Sequence, residues 1–190
     1  MKSIIDNEFI EHLKTTKATM EVMSSDIEAV AKTCIDSLKN GGKILFFGNG
    51  GSAADAQHLA AELVSRYKTE RQGLGAIALT TDSSILTAIG NDYGFDRIFS
   101  RQVEALANAK DIVIGISTGG TSDNVINGFK VAKEKGCKII GFSGRGGGEF
   151  NNFCDINLVV PADDTPRIQE MHILIGHTIC HLIEQNFTNS

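Results

Sequence analysis

Five short apolar segments, most of them followed by a loop and a helical pattern, constrain the fold of this chain more than any other feature. They lie at residues 43–47, 76–79, 111–116, 138–142 and 156–160. Their apolar residues do not alternate with polar ones, so both faces of each strand are expected to be buried, as in a parallel sheet covered by helices. The pattern predicts an α/β fold, a doubly wound five-stranded parallel sheet formed by one domain over residues 1–190. In such sheets ligands bind beyond the carboxyl ends of the strands, at the switch point of the topology.

Two helical patterns precede the first strand, at residues 3–20 and 24–40. The second ends at Asn40-Gly41-Gly42, a usual helix stop. We expect these N-terminal helices to contact other subunits. A long closing helix is predicted from Thr165 to Phe187, and no repeat, linker or second domain is evident.

Composition excludes several classes of partner. The net charge is −5, and the lysines and arginines are scattered, so no basic cluster predicts binding to nucleic acid. No run of about 18 apolar residues predicts a membrane span. The N-terminus carries acids where a signal peptide has an apolar run. The four cysteines are far apart, which favours free thiols in a reducing compartment. We therefore expect a cytoplasmic protein.

A glycine-rich loop, residues 48–53, follows the first strand and leads directly into a helix. Its chemistry-bearing residues are Asn49, Gly50, Gly51 and Ser52. Glycines let the backbone approach a ligand, and a helix N-terminus attracts anions. A plain turn remains an alternative. The spacing Gly48-x-Gly50-x-x-Ala53 also fits a dinucleotide site, but that site needs an acid about 20 residues later, and Asp82 lies well beyond it. A monophosphate is therefore favoured over a dinucleotide.

A second loop of this kind, residues 117–122, follows the third strand. It contains Ser117, Thr118, Gly119 and Ser122. Two hydroxyl- and glycine-rich loops at one sheet edge can surround one phosphate, although simple turns remain open as an explanation. Neither loop contains a lysine or arginine, and no G-K-[ST] follows, so a P-loop is excluded. The pair favours a phosphosugar held by hydroxyls and backbone amides.

Two pairs of polar residues occur on helices that should face this sheet edge. His58 and Glu62 are four residues apart, which places them on one face of the helix after the first loop. Such a pair can supply two metal ligands or a ligand and a base, but it can also be a solvated surface pair. Gln169 and His177 are eight residues apart, about 80° around the closing helix, so they can converge on one ligand. Spacing alone does not choose among His172, His177 and His181.

Several motifs taken together resemble the phosphoheptose isomerase family of the sugar-isomerase (SIS) group, over nearly the whole chain. They are Gly48-Asn49-Gly50-Gly51-Ser52, Asp55-Ala56, His58, Glu62, Gly90-Asn91-Asp92, the Ser117 loop, Arg167-Ile168-Gln169-Glu170, His172 and His177. The resemblance implies a five-stranded parallel sheet between helices and a homotetramer with active sites at subunit interfaces. It implies conversion of D-sedoheptulose 7-phosphate to D-glycero-D-manno-heptose 7-phosphate, which opens heptose synthesis for lipopolysaccharide, surface-layer or capsule glycans.

The resemblance also implies a role for each matching residue. Zinc would be bound by His58, Glu62, Gln169 and His177. Glu62 and His177 would form the catalytic acid/base pair. The substrate would contact Asn49, Gly50, Gly51, Ser52, Glu62, Asn91, Asp92, Ser117, Thr118, Gly119, Ser122 and Gln169. One departure concerns the second loop, which in the family usually reads Ser-Thr-Ser-Gly and here has Gly119 in the third place, so one hydroxyl is missing.

Two non-enzymatic alternatives belong to the same group. One relative regulates replication initiation by binding the initiator protein, and it lacks the catalytic Glu and His that Glu62 and His177 match here. Phosphosugar-sensing modules of transcription regulators are normally fused to a DNA-binding domain, and no segment of this chain is left over for one. The residues therefore favour the enzyme.

Overall fold

The computed structural model describes residues 1–188 and shows a five-stranded parallel sheet with the strand order β2-β1-β3-β4-β5. The strands are β1 (Ile44–Gly48), β2 (Ala76–Ala78), β3 (Ile112–Ile116), β4 (Lys138–Ser143) and β5 (Ile156–Val159). Every residue of the central strands β1 and β3 is buried, because helices cover both faces. The predicted fold class is confirmed, and each predicted strand is present within about two residues of its expected bounds.

Helices form a layer on each side of the sheet. They are α1 (Lys2–Lys39), α2 (Gly51–Val64), α3 (Ser83–Tyr93), α4 (Ser100–Leu106), α5 (Asp123–Glu134) and α6 (Thr165–Gln185), with 3₁₀ segments at Phe95–Arg97 and Arg145–Asn152. One apolar core lies between the sheet and α1, α2 and α6, and a second lies between the sheet and α4 and α5. The doubly wound arrangement thus directs the connections of β1 and β3 to opposite faces.

The two predicted N-terminal helices are one continuous helix, so the predicted break near residues 21–23 is wrong. The segment contains no glycine or proline, and Met23 is buried against the core, which fixes the helix at this point. Ser24 does not cap a new helix. Its hydroxyl donates to the carbonyl of Met20, 2.8 Å away, within the same helix. The first half of α1 extends past the core with exposed apolar side chains, among them Ile4, Phe9 and Leu13.

The order of the strands creates a crevice at the carboxyl ends of β1 and β3. These strands are neighbours in register, with Gly48 opposite Ile116, and their chains leave toward opposite faces. The first and second loops therefore emerge side by side, as expected for a ligand site at a switch point. Among residues 1–188, no helix has both the length and the apolar character needed to cross a bilayer.

Candidate active site

The first loop makes a tight turn that brings the start of α2 to the crevice. Gly48 has no room for a side chain, since a Cβ there would lie 2.7 Å from the Ile116 carbonyl oxygen and 2.8 Å from the Ser52 Cβ. Gly50 has a φ of 57°, which favours glycine. These two positions direct the N-terminus of α2, with the buried Ser52 in its first turn, toward the crevice. Such an end attracts a phosphate group.

The second loop is closed by its own hydroxyls. The Oγ atoms of Ser117 and Ser122 lie 2.9 Å apart, and the Gly120 N–H donates to the Ser117 carbonyl at 3.1 Å. Gly120 has a φ of 62°, while Gly119 does not share this left-handed conformation. The predicted residues of this loop are thus gathered around one small turn beside the first loop.

A pair of amide side chains joins the two loops. Asn49 donates to Asn124 at 2.8 Å, and Asn124 donates back at 2.9 Å. Asn124 is buried in the first turn of α5 and is not among the residues predicted from the sequence. Its signal was weak: an amide next to the apolar pair Val125 and Ile126 in the turn that follows the second loop. The reciprocal bonds hold the Asn49 amide in one orientation at the floor of the crevice.

His58, Glu62 and His177 form a compact cluster where α2 meets α6. His58 Nε2 lies 3.0 Å from Glu62 Oε1 and 3.1 Å from His177 Nε2. One ligand atom from each residue lies within 4.8 Å of the others. The helices approach closely because α6 has Gly176 at the crossing, where a Cβ would lie 2.6 Å from Leu59 Cδ1.

The donor set of this cluster agrees with a metal site. Two imidazole nitrogens and a carboxylate oxygen suit a borderline cation such as zinc. The cluster remains partly open to solvent, since the His58 side chain is 48% exposed and that of Glu62 is 22% exposed. Partial burial lowers the pKa of His177, the nearby His58 lowers it further, and Glu62 opposes this shift. His177 therefore favours the neutral form, which can bind a metal or accept a proton.

The predicted fourth ligand, Gln169, lies at the first turn of α2. Its side chain covers Gly51, where a Cβ would come within 2.8 Å of the Gln169 Nε2 atom. Pro166 in the first turn of α6 fixes the start of the helix that carries Gln169. Gln169 and His177 thus belong to one rigid helix, two turns apart, along the wall of the crevice.

The fold of the single chain does not bring Asn91 and Asp92 to this cluster. Both are exposed at the end of α3, where the Asn91 amide donates to Asp92 at 2.8 Å. Asp92 lines a separate groove between α3 and α4, together with Tyr93 and Arg101. Among residues 1–188, no hydrogen bond connects either residue to the two loops or to the His58 cluster.

Tyr67 is a neighbour of the cluster that is not among the residues predicted from the sequence. Its ring centroid lies 5.4 Å from that of His177 and 5.8 Å from that of His181. The buried carboxylate of Glu184 holds this segment by accepting the backbone N–H groups of residues 67, 68 and 69 at 2.8–3.0 Å. Only the tertiary fold brings residues 67 and 184 together, so local sequence patterns could not reveal this contact.

Comparison with known proteins agrees with this geometry. Residues 8–144 match the SIS domain family. The phosphoheptose isomerase of Aliarcobacter butzleri is 62% identical over 189 residues, which span 100% of both chains. The structure of the phosphoheptose isomerase of Neisseria gonorrhoeae superposes with a TM-score of 0.93 at 44% identity, covering 97% of this chain and 98% of that one. That of Francisella tularensis gives a TM-score of 0.94 at 39% identity, covering 96% and 97%. The chain therefore belongs to the phosphoheptose isomerases, a family of SIS-domain enzymes.

Proposed function

We propose that this isomerase converts D-sedoheptulose 7-phosphate to D-glycero-D-manno-heptose 7-phosphate. The observation that carries the proposal is the His58–Glu62–His177 cluster, where the helix that leaves the first loop meets α6, at a crevice bordered by two hydroxyl- and glycine-rich loops. The high identity to enzymes named phosphoheptose isomerase supports the choice of a seven-carbon substrate.

The two loops would hold the phosphate without a cationic side chain. Ser52, Ser117 and Ser122 supply hydroxyls, and the N-terminus of α2 supplies a favourable dipole. Thr118 and Gly119 border the same turn and add a hydroxyl and a backbone amide. Hydrogen bonds to a charged phosphate are among the stronger ones in proteins, so a few well-placed donors suffice.

Glu62 and His177 would move the proton. Aldose–ketose isomerisation transfers a proton between adjacent carbons through an enediol, which needs a base for the carbon proton and a donor to the neighbouring oxygen. A carboxylate and an imidazole on two packed helices meet both needs from one side of the sugar. Burial keeps the pKa of His177 below its usual value, so the imidazole is free to accept a proton near neutral pH.

His58, Glu62, Gln169 and His177 would hold a zinc ion. When bound, zinc would polarise the substrate carbonyl and stabilise negative charge on its oxygen. Glu62 has a second carboxylate oxygen besides the Oε1 atom that faces His58, which leaves one oxygen for proton transfer. His58 and Gln169 would then serve binding alone, while Glu62 and His177 would serve both purposes.

We further propose a homotetramer in which the active sites lie at subunit interfaces. The residues Phe9 and Leu13 on α1 are 68% and 66% exposed in the single chain, a state that favours association. Helix α3 buries none of its residues, so it offers a second contact surface. A neighbouring subunit could in this way present Asn91 and Asp92 to the substrate.

We also propose that the enzyme acts in the cytoplasm and that its product enters heptose synthesis for surface glycans. The four cysteines are free thiols, and burial raises the pKa of Cys34 and Cys180, which keeps both protonated and unreactive. Free buried thiols are typical of proteins in reducing compartments.

The direct test is to incubate the purified protein with sedoheptulose 7-phosphate and to follow the formation of aldoheptose phosphate by NMR. Fructose 6-phosphate is tested in parallel. We expect turnover of the seven-carbon substrate and little of the six-carbon one. Absence of turnover in a folded, zinc-supplemented protein, or a preference for fructose 6-phosphate, would overturn the proposed function.

A further inference from the structure

A third glycine-rich segment, residues 144–152, has no role in the function proposed above. We call it the β4 loop, because it follows β4 and precedes β5. Since β4 is the sheet neighbour of β3, the β4 loop emerges next to the second loop. The sequence places three consecutive glycines in it, Gly146, Gly147 and Gly148.

The backbone of the β4 loop packs directly on the backbone of the second loop. The Phe150 N–H donates to the Gly120 carbonyl oxygen at 3.1 Å. A Cβ at Gly120 would collide with the Gly147 carbonyl group. In the reverse direction, a Cβ at Gly148 would overlap the Gly119 carbonyl oxygen and lie 2.9 Å from that of Gly120. Glycine at these positions is what allows the two main chains to touch.

The β4 loop is itself held firmly from the side away from the second loop. Phe150 is fully buried, and its ring centroid lies 4.8 Å from that of Phe129 in the core. The Asn151 amide donates to the Gly146 carbonyl at 2.9 Å, and Asn157 donates to Asn151 at 2.8 Å. A group inserted between the two loops would therefore displace the second loop rather than the anchored β4 loop.

The second loop needs such external support. It contains the adjacent glycines Gly119 and Gly120, which lose much conformational freedom when ordered. Around Gly119 itself, only the Thr121 Oγ1 lies within 4 Å of the position of a Cβ, at 3.4 Å. The backbone contact from the β4 loop thus limits the second loop to one shape before any ligand arrives.

We propose that the β4 loop positions the second loop for binding of the substrate phosphate, with Gly148 as the residue on which this depends. The proposal rests on the proposed function, because it assigns phosphate binding to the second loop. The β4 loop is a positioning element and contacts no reacting atom, so its effect falls on binding rather than on proton transfer. A pre-ordered loop binds more tightly because the ligand does not have to supply the ordering free energy.

The test compares Gly148→Ala with Gly146→Ala. Gly146 also has a positive φ, 76°, but a Cβ there would meet no atom within 4 Å, so this control adds backbone strain without touching the second loop. Steady-state kinetics with sedoheptulose 7-phosphate are combined with calorimetric titration of inorganic phosphate. For Gly148→Ala we expect KM and the phosphate Kd to rise about tenfold, the scale of one lost hydrogen bond to a charged group, with kcat within about twofold of wild type. Gly146→Ala is expected to match wild type in KM, phosphate Kd and kcat.

Equal effects of the two variants, an unchanged KM in Gly148→Ala, or a fall in kcat alone would overturn the proposal. If Gly148→Ala does not fold, Asn151→Ala is the deciding variant. It removes the hydrogen bond from Asn151 to the Gly146 carbonyl and so loosens the β4 loop on its exposed side, which should raise the phosphate Kd about threefold. Phosphate binding by a wild-type protein that does not turn over the heptose phosphate would refute the proposed function alone, and the phosphate titrations would still decide the role of the β4 loop. A wild-type protein that binds neither ligand would overturn both.

Discussion

His58 and His177 face each other across the contact of α2 and α6, with their Nε2 atoms 3.1 Å apart. Two imidazole nitrogens at this distance can share one proton or one cation, whereas two facing N–H groups or two facing lone pairs would repel each other. Glu62 approaches the same point from the next turn of α2, 3.0 Å from His58. This relationship ties the proposed metal site and the proposed acid/base pair to the same few atoms.

Replacing either member of the proposed acid/base pair should nearly abolish turnover. We expect Glu62→Gln and His177→Ala each to lower kcat at least ~100-fold, the lower scale for removing a positioned acid or base. His181→Ala is a matched control, since this imidazole lies one turn further along α6, is partly exposed and is not part of the cluster. Near-normal kcat in a folded variant would remove that residue from the mechanism.

Metal content should depend on His58. We expect wild-type protein to bind about one divalent cation per subunit, zinc in preference to others, and His58→Ala to bind far less. Elemental analysis by mass spectrometry after dialysis against zinc measures this directly, again with His181→Ala beside it. The same metal content in wild type and His58→Ala would show that His58 is not a ligand.

Restoring the missing hydroxyl of the second loop should tighten substrate binding. Gly119 does not adopt the positive φ of Gly120, and a Cβ there would meet only Thr121 Oγ1, at 3.4 Å, so a serine is accommodated without backbone strain. We expect Gly119→Ser to lower KM with nearly unchanged kcat, because the phosphate is held alike in the ground and transition states. A raised or constant KM would mean that the loop already satisfies the phosphate through its backbone.

Acid should destabilise the fold through His172. Burial lowers the pKa of His172 from 6.5 to about 4, although a hydrogen bond to the Ser143 carbonyl opposes the shift. The folded state therefore binds this proton less readily than the unfolded chain, so its contribution to stability is complete above pH 6.5 and is lost as the pH falls toward about 4. The loss over this range is about 3 kcal/mol.

Urea unfolding of wild type and His172→Leu between neutral pH and pH 4 isolates the contribution of His172 to the pH dependence of stability. The leucine variant lacks the titrating group, so its free energy of unfolding should fall less steeply with acid. Parallel pH profiles for the two proteins would exclude His172 as the source.

The proposed interface surface of α1 should be sensitive to charge. Phe9→Glu with Leu13→Glu places two carboxylates on a face whose apolar side chains are exposed in the single chain, which should weaken association of subunits. Light scattering after gel filtration is expected to give a tetramer for wild type and a smaller species for the double variant. A tetrameric mass in both would exclude this part of α1 as an interface.

The strands and both loops were predictable because their signals are local. Apolar runs without alternation mark buried parallel strands, and the glycines around Asn49 and Ser117 mark sharp turns into helices. The continuity of α1 was not predictable in this way, because Met23 fixes the helix through a tertiary contact. The pairing of Asn49 with Asn124 also joins segments 75 residues apart, so no local sequence pattern predicts it.

The candidate site residues also differ in whether a local sequence pattern predicts them. The four-residue spacing of His58 and Glu62 predicted one helix face, whereas the choice of His177 over His172 needed either the family motif or the structure. His172 is fully buried beneath β4, while His177 reaches His58 because Gly176 lets the two helices touch. Helical periodicity places these two histidines on different faces of α6, about 140° apart, but does not show which face meets α2.

The crossing at Gly176 links ligand binding to the stability of the whole fold. The histidines that meet there are separated by 119 residues along the chain, so the proposed cation site forms only after α2 and α6 have packed. A cation that binds the native state and not the unfolded chain shifts the folding equilibrium by mass action, and each tenfold rise in its free concentration above Kd adds about 1.4 kcal/mol. The concentration of free zinc would therefore set the thermal stability of this protein. Chelation should lower the Tm of wild type and leave the Tm of His58→Ala unchanged.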